Sequence, residues 1–287
     1  MGRIRTRCSC LQSIYRQTWR NTEVVVIDDG SKDGSQDRIA RSLKHCPFPS
    51  QFIARENHGA AETINEAISL ANGDYLNVVN SDDRIVPGRI ERMIHAIDGT
   101  ESDWGFSGVE IIDENGRIAP RILGSMAEGL ASMSSNTRSA PTVGFALLRT
   151  NASISTGNLF IRKAFLEEIG GFSSLRYHHD WEFVLRAGLS SEGIFVPELL
   201  YEYRLHEKNT TLEMGTAARD EGNRMLGAHI RSLMDQNSRA NEFATTYLNW
   251  GDDLLYFLVE IGFEGFLPSE QIQRMAHGIR SGPEGPP

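Results

Sequence analysis

Residues 73–83, with the sequence GDYLNVVNSDD, decide how the rest of the chain is interpreted. Residues 75–79 are mostly apolar and rich in β-branched and aromatic side chains, which predicts a short strand. The polar residues 80–83 follow at once, so adjacent carboxylates lie at the carboxyl end of this strand. Neighbouring carboxylates repel each other, and a divalent metal with oxygen ligands commonly compensates them. The alternative, a polar turn that leads into a helix from Pro87, stays open at this point.

A second acidic cluster follows another predicted strand. Residues 24–27 form the unbroken apolar run VVVI, which fits a strand covered on both faces, and Asp28 and Asp29 come directly after it. Predicted helices alternate with the strands, at residues 8–18, 36–44, 60–71 and from 87 onward. This alternation predicts an α/β fold with a mostly parallel, doubly wound sheet, in which ligands bind outside the carboxyl ends of the strands. Two acidic clusters at such ends favour a metal and nucleotide site over two unrelated turns.

The middle of the chain is less regular. Residues 105–119 predict a hairpin, since the turn sequence DENG at 113–116 separates two apolar runs. Residues 120–152 are rich in Ser, Gly, Ala and Thr with little periodicity, and we expect a long loop there. Further short strands are predicted at residues 159–161, 194–196 and 199–203.

The last part of the sequence has a helical pattern from residue 212. A broad apolar stripe runs from Phe243 to Leu258, which predicts a helix packed on the main domain. We therefore predict a domain over residues 1–211, a helical C-terminal extension over 212–280 and a disordered tail over 281–287.

The composition argues against several classes of protein. The formal net charge of −9 disfavours a nucleic-acid partner, which usually requires a basic face. No run of about 18 apolar residues occurs, so no membrane-spanning helix is predicted. Cys8, Cys10 and Cys46 give no disulfide framework, which is typical of reduced thiols in a cytoplasmic protein.

In this order, the motifs resemble those of the family 2 glycosyltransferases, inverting enzymes of the GT-A fold that use nucleotide-sugar donors. The likeness covers roughly residues 8–211. It is carried by DDGSKDGS at 28–35, ENHG at 56–59, ANGDY at 71–75, NSDD at 80–83, GN at 157–158, GGF at 170–172, HDWE at 179–182 and YRLH at 203–206. The resemblance implies that residues 1–211 form a GT-A domain with a mostly parallel, Rossmann-like sheet.

The resemblance also implies a role for each candidate site residue. Asp82, which matches the last acid of the family's Asp-x-Asp segment, is expected to bind Mn²⁺ or Mg²⁺, with His206 as a second ligand. Asp180 is expected to be the general base. Contacts to the donor are expected from the polar residues at the two strand ends, Asp28, Asp29, Asn80 and Ser81. Alternatives remain for two of these residues: a helix N-cap for Asp180 and a structural histidine for His206.

The expected donor is a UDP-, GDP- or dTDP-sugar, and the expected acceptor is a hydroxyl of a glycan or lipid-linked glycan in polysaccharide, O-antigen or glycolipid synthesis. Processive members carry a Gln-x-x-Arg-Trp motif, which this chain lacks, so a single transfer per encounter is expected. The expected location is the cytoplasm, and peripheral association with the inner face of a membrane is compatible with the resemblance. No motif indicates an oligomeric state. The alternative function is an inactive nucleotide-binding or scaffold protein with the same fold.

Three features depart from the family pattern. The family opens with a strand before the helix at 8–18, but residues 1–7 contain a single aliphatic residue, Ile4, so the first strand is expected to be missing or truncated. Asn80 stands where the first acid of Asp-x-Asp is usual, which removes a charge but keeps an oxygen that can contact ribose. His179 replaces the acid that normally precedes Asp180.

Overall fold

The computed structural model describes residues 2–118, 125–206, 215–235, 241–270 and 272, and its strands form two sheets. β1 (Val24–Asp29) and β2 (Ser50–Arg55) run parallel and make up a two-stranded sheet. The strands of the larger, five-stranded sheet are β3 (Tyr75–Asn77), β4 (Arg84–Ile85), β5 (Trp104–Ile112), β6 (Leu159–Arg162) and β7 (Ile194–Arg204). Their order across the sheet is β3-β6-β5-β7-β4.

The larger sheet is mixed, whereas the sequence predicted a mostly parallel one. β5 and β7 run parallel, but β6 is antiparallel to both of its neighbours and β4 is antiparallel to β7. The connection between β5 and β6 is long enough to allow either direction, so the alternation of strands and helices did not determine it. β7 also replaces the two short strands predicted on either side of Pro197. Its register against β5 shifts between Ser107 and Val109, and such an irregularity accommodates a residue without a backbone N–H.

Helices flank the sheets throughout the described residues. Those that precede β6 are α1 (Gly2–Tyr15), α2 (Ser35–Leu43), α3 (Ala60–Leu70), α4 (Arg89–Asp98), α5 (Ser125–Ser139) and α6 (Val143–Arg149). Those that follow it are α7 (Lys163–Ile169), α8 (His179–Ser190), α9 (Thr216–Leu233), α10 (Tyr247–Trp250) and α11 (Asp252–Glu260). Residues 2–7 belong to α1. Nowhere in the described ranges is a helix both long and apolar enough to span a membrane.

The two sheets are joined at the start of β3. The carboxylate of Glu23, just before β1, accepts hydrogen bonds from the backbone N–H of Asn72 and, at 2.9 Å, from that of Gly73. α1 packs on α2 at one sheet and on β4 at the other. The smaller sheet is therefore fixed to the larger one by a buried helix face and a carboxylate, and β1 and β3 do not share a sheet.

The long loop predicted at residues 120–152 is wrong for most of its length, because α5 and α6 lie within it. The sequence of residues 120–152 shows little helical periodicity, and such short helices are stabilised mainly by tertiary packing. In α6 the four residues 145–148 are at most 3% exposed. Trp181 of α8 fixes this helix by donating from Nε1 to the backbone oxygen of Leu147 at 2.8 Å.

The C-terminal extension packs on the main domain, as predicted, but through two short helices instead of one continuous stripe. Gly251 separates α10 from α11 with φ of 53°, a left-handed conformation that favours glycine. Phe145 of α6 makes edge-to-face contacts with Trp250 and Phe257 at ring-centroid distances of 4.8 Å. Phe243 does not join this contact and is 51% exposed. The predicted boundary at residues 211 and 212, and the predicted tail at 281–287, lie outside the described residues.

A buried carboxyl group lies where the extension meets the main domain. Glu192, in the turn between α8 and β7, accepts a hydrogen bond from the backbone N–H of Val143 at 2.7 Å. Its Oε2 and the hydroxyls of Thr142 and Thr245 are buried, and none of these three atoms has a hydrogen-bond partner among the described residues. Burial raises the pKa of Glu192 from 4.5 to about 7, against the opposing effect of the Val143 N–H.

We expect Glu192→Gln to stabilise the protein at pH 8. Between pH 4.5 and about 7 the folded protein holds a proton that the unfolded chain has lost, so the free energy of unfolding falls as pH rises through this window. Glutamine keeps the acceptor for Val143 without the charge, and it should remove this fall, a gain of about 1–3 kcal/mol at pH 8 and little at pH 4. Urea unfolding at both pH values measures it, with the exposed Glu101→Gln as control. Equal pH dependence in Glu192→Gln and the unaltered chain would contradict the assignment.

Candidate active site

The segment 80–83 forms a tight turn between β3 and β4. The backbone N–H of Asp83 donates to the backbone oxygen of Asn80 at 3.1 Å, so the turn proposed from the sequence is present. The turn directs its acids differently: the Asp82 side chain is 35% exposed, whereas Asp83 is 1% exposed. Ser81, at the tip, is exposed. Only Asp82 of the two acids is thus open to a ligand from solvent.

Asp82 faces His206, which follows the end of β7. The distance from Asp82 Oδ2 to His206 Nε2 is 3.0 Å, and the His206 side chain is 18% exposed. A carboxylate oxygen and an imidazole nitrogen suit Mn²⁺, while the hard carboxylate also suits Mg²⁺. No group of three or more His, Cys, Asp or Glu residues suited to a metal occurs in the described part of the chain. A pair of protein ligands fits a cation that shares its coordination with phosphate oxygens, as magnesium commonly does.

Asp83 anchors the turn to β7 instead of facing a ligand. Tyr201 donates from its hydroxyl to Asp83 Oδ2 at 2.5 Å, and the backbone N–H of Arg204 donates to Oδ1 at 2.8 Å. Burial and the neighbouring negative charge of Asp82 raise the pKa of the Asp83 carboxyl. Arg204 also donates from Nε to the backbone oxygen of Asp82 at 2.6 Å. The position of Asp82 is therefore set by contacts with β7.

A second loop, residues 153–158 before β6, continues the site. Asn80 donates from Nδ2 to Ser155 Oγ at 2.8 Å. The next residue, Thr156, has its Oγ1 3.2 Å from Nε2 of His179, the first residue of α8. A Cβ on Gly157 would lie 1.9 Å from the Tyr201 hydroxyl, so the close approach of this loop to β7 requires glycine. Hydrogen bonds thus lead from the Asp82 turn to the start of α8.

Strain in this loop is held by a buried amide and a buried cation. Ile154 has φ of 71°, a conformation that costs about 1–3 kcal/mol for a residue of this kind and persists only where neighbours enforce it. Asn158 donates from Nδ2 to the backbone oxygens of Ser153 and Ser107 at 3.1 and 2.8 Å. Beneath it, the fully buried guanidinium of Arg89 donates to the backbone oxygen of Asn158 at 2.7 Å. Burial lowers the pKa of Arg89 to about 10, so it stays charged at neutral pH.

Arg89 was missed in the sequence, although a signal was present. It falls four and eight residues before Met93 and Ile97 on the inward face of α4, and a charged residue on an apolar face indicates a buried polar contact.

Asp180 lies inside the first turn of α8, so the alternative of a helix N-cap is wrong. His178 occupies the cap position, and α8 begins at His179. The Asp180 carboxylate is partly exposed, and its Oδ1 accepts a hydrogen bond from the backbone N–H of Trp181 at 2.8 Å. Its neighbour His179 has a buried Nδ1 without a hydrogen-bond partner among the described atoms.

Asp28 and Asp29 lie at the end of β1, in the other sheet from the one that leads to Asp82. Asp28, 4% exposed, accepts hydrogen bonds from the backbone N–H of Ser31 at 2.8 Å and from Gln36 Nε2 at 3.1 Å. Asp29 pairs with Arg55 and accepts from the backbone N–H of His58 and Gly59, both at 2.9 Å. These contacts give both carboxylates a structural part in their own turn, and their contact with a donor remains a prediction.

The model of the family described as Glycosyl transferase family 2 matches residues 8–170. An uncharacterised glycosyltransferase of Rickettsia typhi is 28% identical over 208 residues, which are 70% of this chain and 60% of that protein. Glycosyltransferase GlyG of Streptococcus pneumoniae is 27% identical over 199 residues, 68% of this chain and 65% of its own length. The chain thus spans about 60–65% of the length of these relatives.

Solved structures share the fold. The structure of S. aureus TarS 1–349 in complex with UDP-GlcNAc matches with a TM-score of 0.65 and 18% identity, over 97% of this chain and 84% of that one. The mannosyltransferase PcManGT from Pyrobaculum calidifontis, in complex with GDP-Man and Mn²⁺, matches with a TM-score of 0.54 and 17% identity, over 94% and 74%. Together with the family match, these likenesses confirm the predicted GT-A fold, with the mixed sheet described above.

Proposed function

Because the chain belongs to glycosyl transferase family 2, we propose that it transfers a sugar from a nucleotide-sugar donor to an acceptor hydroxyl with inversion of the anomeric carbon. The observation that carries the proposal is the pairing of Asp82 with His206 at the exposed turn after β3. The same turn is linked through the 153–158 loop to the helix that bears Asp180. A metal-binding pair and a carboxylate base are the two kinds of group that this transfer requires.

Asp82 and His206 would hold a divalent cation, Mn²⁺ or Mg²⁺, together with the diphosphate of the donor. When bound, such a cation stabilises the negative charge that the leaving nucleoside diphosphate acquires. The chain contributes a fixed carboxylate, because Arg204 and Asp83 hold the turn that carries Asp82. The presence of Mn²⁺ in the PcManGT complex supports this choice of metal.

Asp180 would take the proton of the acceptor hydroxyl as that oxygen bonds to the anomeric carbon and the bond to the diphosphate breaks. The backbone N–H of Trp181 donates to Oδ1 of Asp180, and this hydrogen bond orients the carboxylate that would accept the proton. Base catalysis of this kind typically contributes about 10²–10⁴-fold to the rate. A direct displacement by the acceptor oxygen inverts the configuration of the sugar.

The proposed donor is a nucleotide-sugar, and Asp28, Asp29, Asn80 and Ser81 are the residues that we propose contact it. The complexes of TarS with UDP-GlcNAc and of PcManGT with GDP-Man support a nucleoside diphosphate as the leaving group. For the acceptor we propose a glycan or lipid-linked glycan of a cell-envelope polysaccharide, modified once per encounter at the cytoplasmic side of a membrane.

We expect donor binding to depend on a divalent metal. Isothermal titration calorimetry with UDP-, GDP- and dTDP-sugars measures this dependence. Each donor is titrated with 1 equivalent of Mn²⁺, with excess Mn²⁺ and after EDTA treatment. Because a cation held by Asp82 and His206 would stabilise the charge of the diphosphate, metal should strengthen donor binding by at least about tenfold, on the order of 1.4 kcal/mol. Restoring Mn²⁺ after EDTA should restore the affinity. Equal affinity with and without metal for a donor that binds would contradict the proposed site.

A further inference from the structure

A carboxylate of helix α9, in the C-terminal extension, contacts the segment that precedes α8. Glu221 accepts hydrogen bonds from three successive backbone N–H groups, those of Arg176, Tyr177 and His178, at 3.0, 2.8 and 3.0 Å. His178 Nδ1 lies 3.3 Å from the same carboxylate. The Glu221 side chain is 13% exposed, so these bonds are largely shielded from water.

The hydrogen bonds keep Glu221 ionised. Burial acts to raise the pKa of this carboxyl, but the N–H groups of Tyr177 and Arg176 and the His178 side chain outweigh burial, and the pKa is lowered. Hydrogen bonds from backbone N–H groups to an ionised carboxylate are roughly twice as strong as those between neutral groups. The segment 176–178 is therefore fastened to α9 by its backbone, whatever its side chains are.

The contact with Glu221 includes the residue at the start of α8. His178 is the N-cap residue of α8, and Asp180 is the second residue of the helix. On the α9 side, Gly222 lies so close that a Cβ there would be 3.3 Å from the His178 ring. In the same turn, Trp181 is tied to α6 through its bond to Leu147. The first turn of α8, with Asp180, is thus held by contacts with both α9 and α6.

We propose that Glu221 is a positioning residue for catalysis, and that α9 fixes the first turn of α8 so that the Asp180 carboxylate meets the acceptor hydroxyl. This rests on the proposed function, in which Asp180 is the base. The extension then belongs to the catalytic unit, although both Glu221 and Asp180 lie beyond residues 8–170, where the family model matches. Glu221 itself touches no reacting atom in this scheme and acts only through the backbone that it binds.

The test is Glu221→Gln, which keeps the shape of the side chain but replaces one acceptor oxygen by a donor group. We expect kcat to fall by about 10- to 100-fold, the effect of a misplacement of about 1 Å at a reacting group, while the donor Kd changes less than about twofold. Glu260→Gln is the matched control. It removes a carboxylate of the same extension that pairs with Arg149 at 3.1 Å, and it should leave kcat unchanged.

Hydrogen–deuterium exchange gives a readout that does not depend on turnover. The amides of residues 176–178 should exchange faster in Glu221→Gln and at the original rate in Glu260→Gln. Unchanged exchange in Glu221→Gln overturns the proposal. A lowered Tm together with an unchanged kcat, measured well below the lowered Tm, also overturns it. If Glu221→Gln does not fold, Glu221→Asp, whose carboxylate is one methylene further from the amides, replaces it. Absence of transfer by the unaltered chain counts against the proposed function, and the exchange rates still show whether Glu221 holds residues 176–178.

Discussion

Asp82→Ala is expected to abolish metal-dependent transfer while the protein remains folded. The change removes the carboxylate that faces His206, so donor affinity in Mn²⁺ should fall to the value measured in EDTA. Turnover should fall by at least about 1,000-fold, or about 4 kcal/mol of barrier. The side chain is 35% exposed, so its truncation opens no cavity and should change the free energy of unfolding by less than about 1 kcal/mol.

The matched control for this experiment is Asp103→Ala. The Asp103 side chain is also 35% exposed, and its contact with Arg162 at 3.7 Å is a surface ion pair away from the turn. It should bind donor and turn over like the unaltered chain. A large fall in Tm for Asp82→Ala without ligand would show that Asp82 is structural. Retained metal-dependent binding in that variant would move the metal site elsewhere.

Asp180→Asn is expected to separate chemistry from binding. Asparagine keeps the size of the side chain and an oxygen to accept the Trp181 N–H, but it takes no proton. Turnover should fall by about 10²–10⁴-fold, or about 3–5 kcal/mol of barrier, with an unchanged donor Kd. Removal of a negative charge from the first turn of a helix should cost about 0.3–1 kcal/mol of stability. Steady-state transfer, calorimetry and thermal unfolding together measure these effects.

Asp253→Asn provides the control, because Asp253 is an exposed acid in the first turn of α11, as Asp180 is in the first turn of α8. Its small loss of stability should be similar, and its turnover should be unaffected. Near-normal turnover of Asp180→Asn in a confirmed transfer assay would rule out Asp180 as the base. The contrast with Asp82→Ala, in which binding and turnover fall together, distinguishes the two roles.

The sequence predicted those parts of the site that are local in the chain. The strand before Asp82 and the turn that contains it are each formed by consecutive residues, so pattern and turn chemistry were sufficient. His206 and Asp180 were chosen through the resemblance, because nothing in their own surroundings distinguishes them. The direction of β6 and the helix α6 were missed, since both depend on packing against elements distant in the sequence.

The contacts of the remaining site residues could not be predicted, because their partners are distant in the sequence. Asp28 and Asp29 were expected, like Asp82, at the carboxyl end of a strand in one mostly parallel sheet. In the structure β1 belongs to the smaller sheet, and each of the two acids accepts hydrogen bonds within its own turn. Glu221 reads in the sequence as one more acid on an amphipathic helix. Only the packing of α9 beside residues 176–178 reveals its three amide partners.

The contact between Asp82 and His206 also determines at which stage of translation the site can form. The two residues are 124 positions apart, and Arg204, which holds the Asp82 turn, arrives just before His206. At translation rates of about 5–20 residues per second, the turn waits roughly 6–25 s for its partners. A nascent chain released or stalled before β7 therefore carries Asp82 without the strand that shapes it. Affinity of the proposed metal site for Mn²⁺ should consequently appear late on the ribosome, once β7 has joined the sheet.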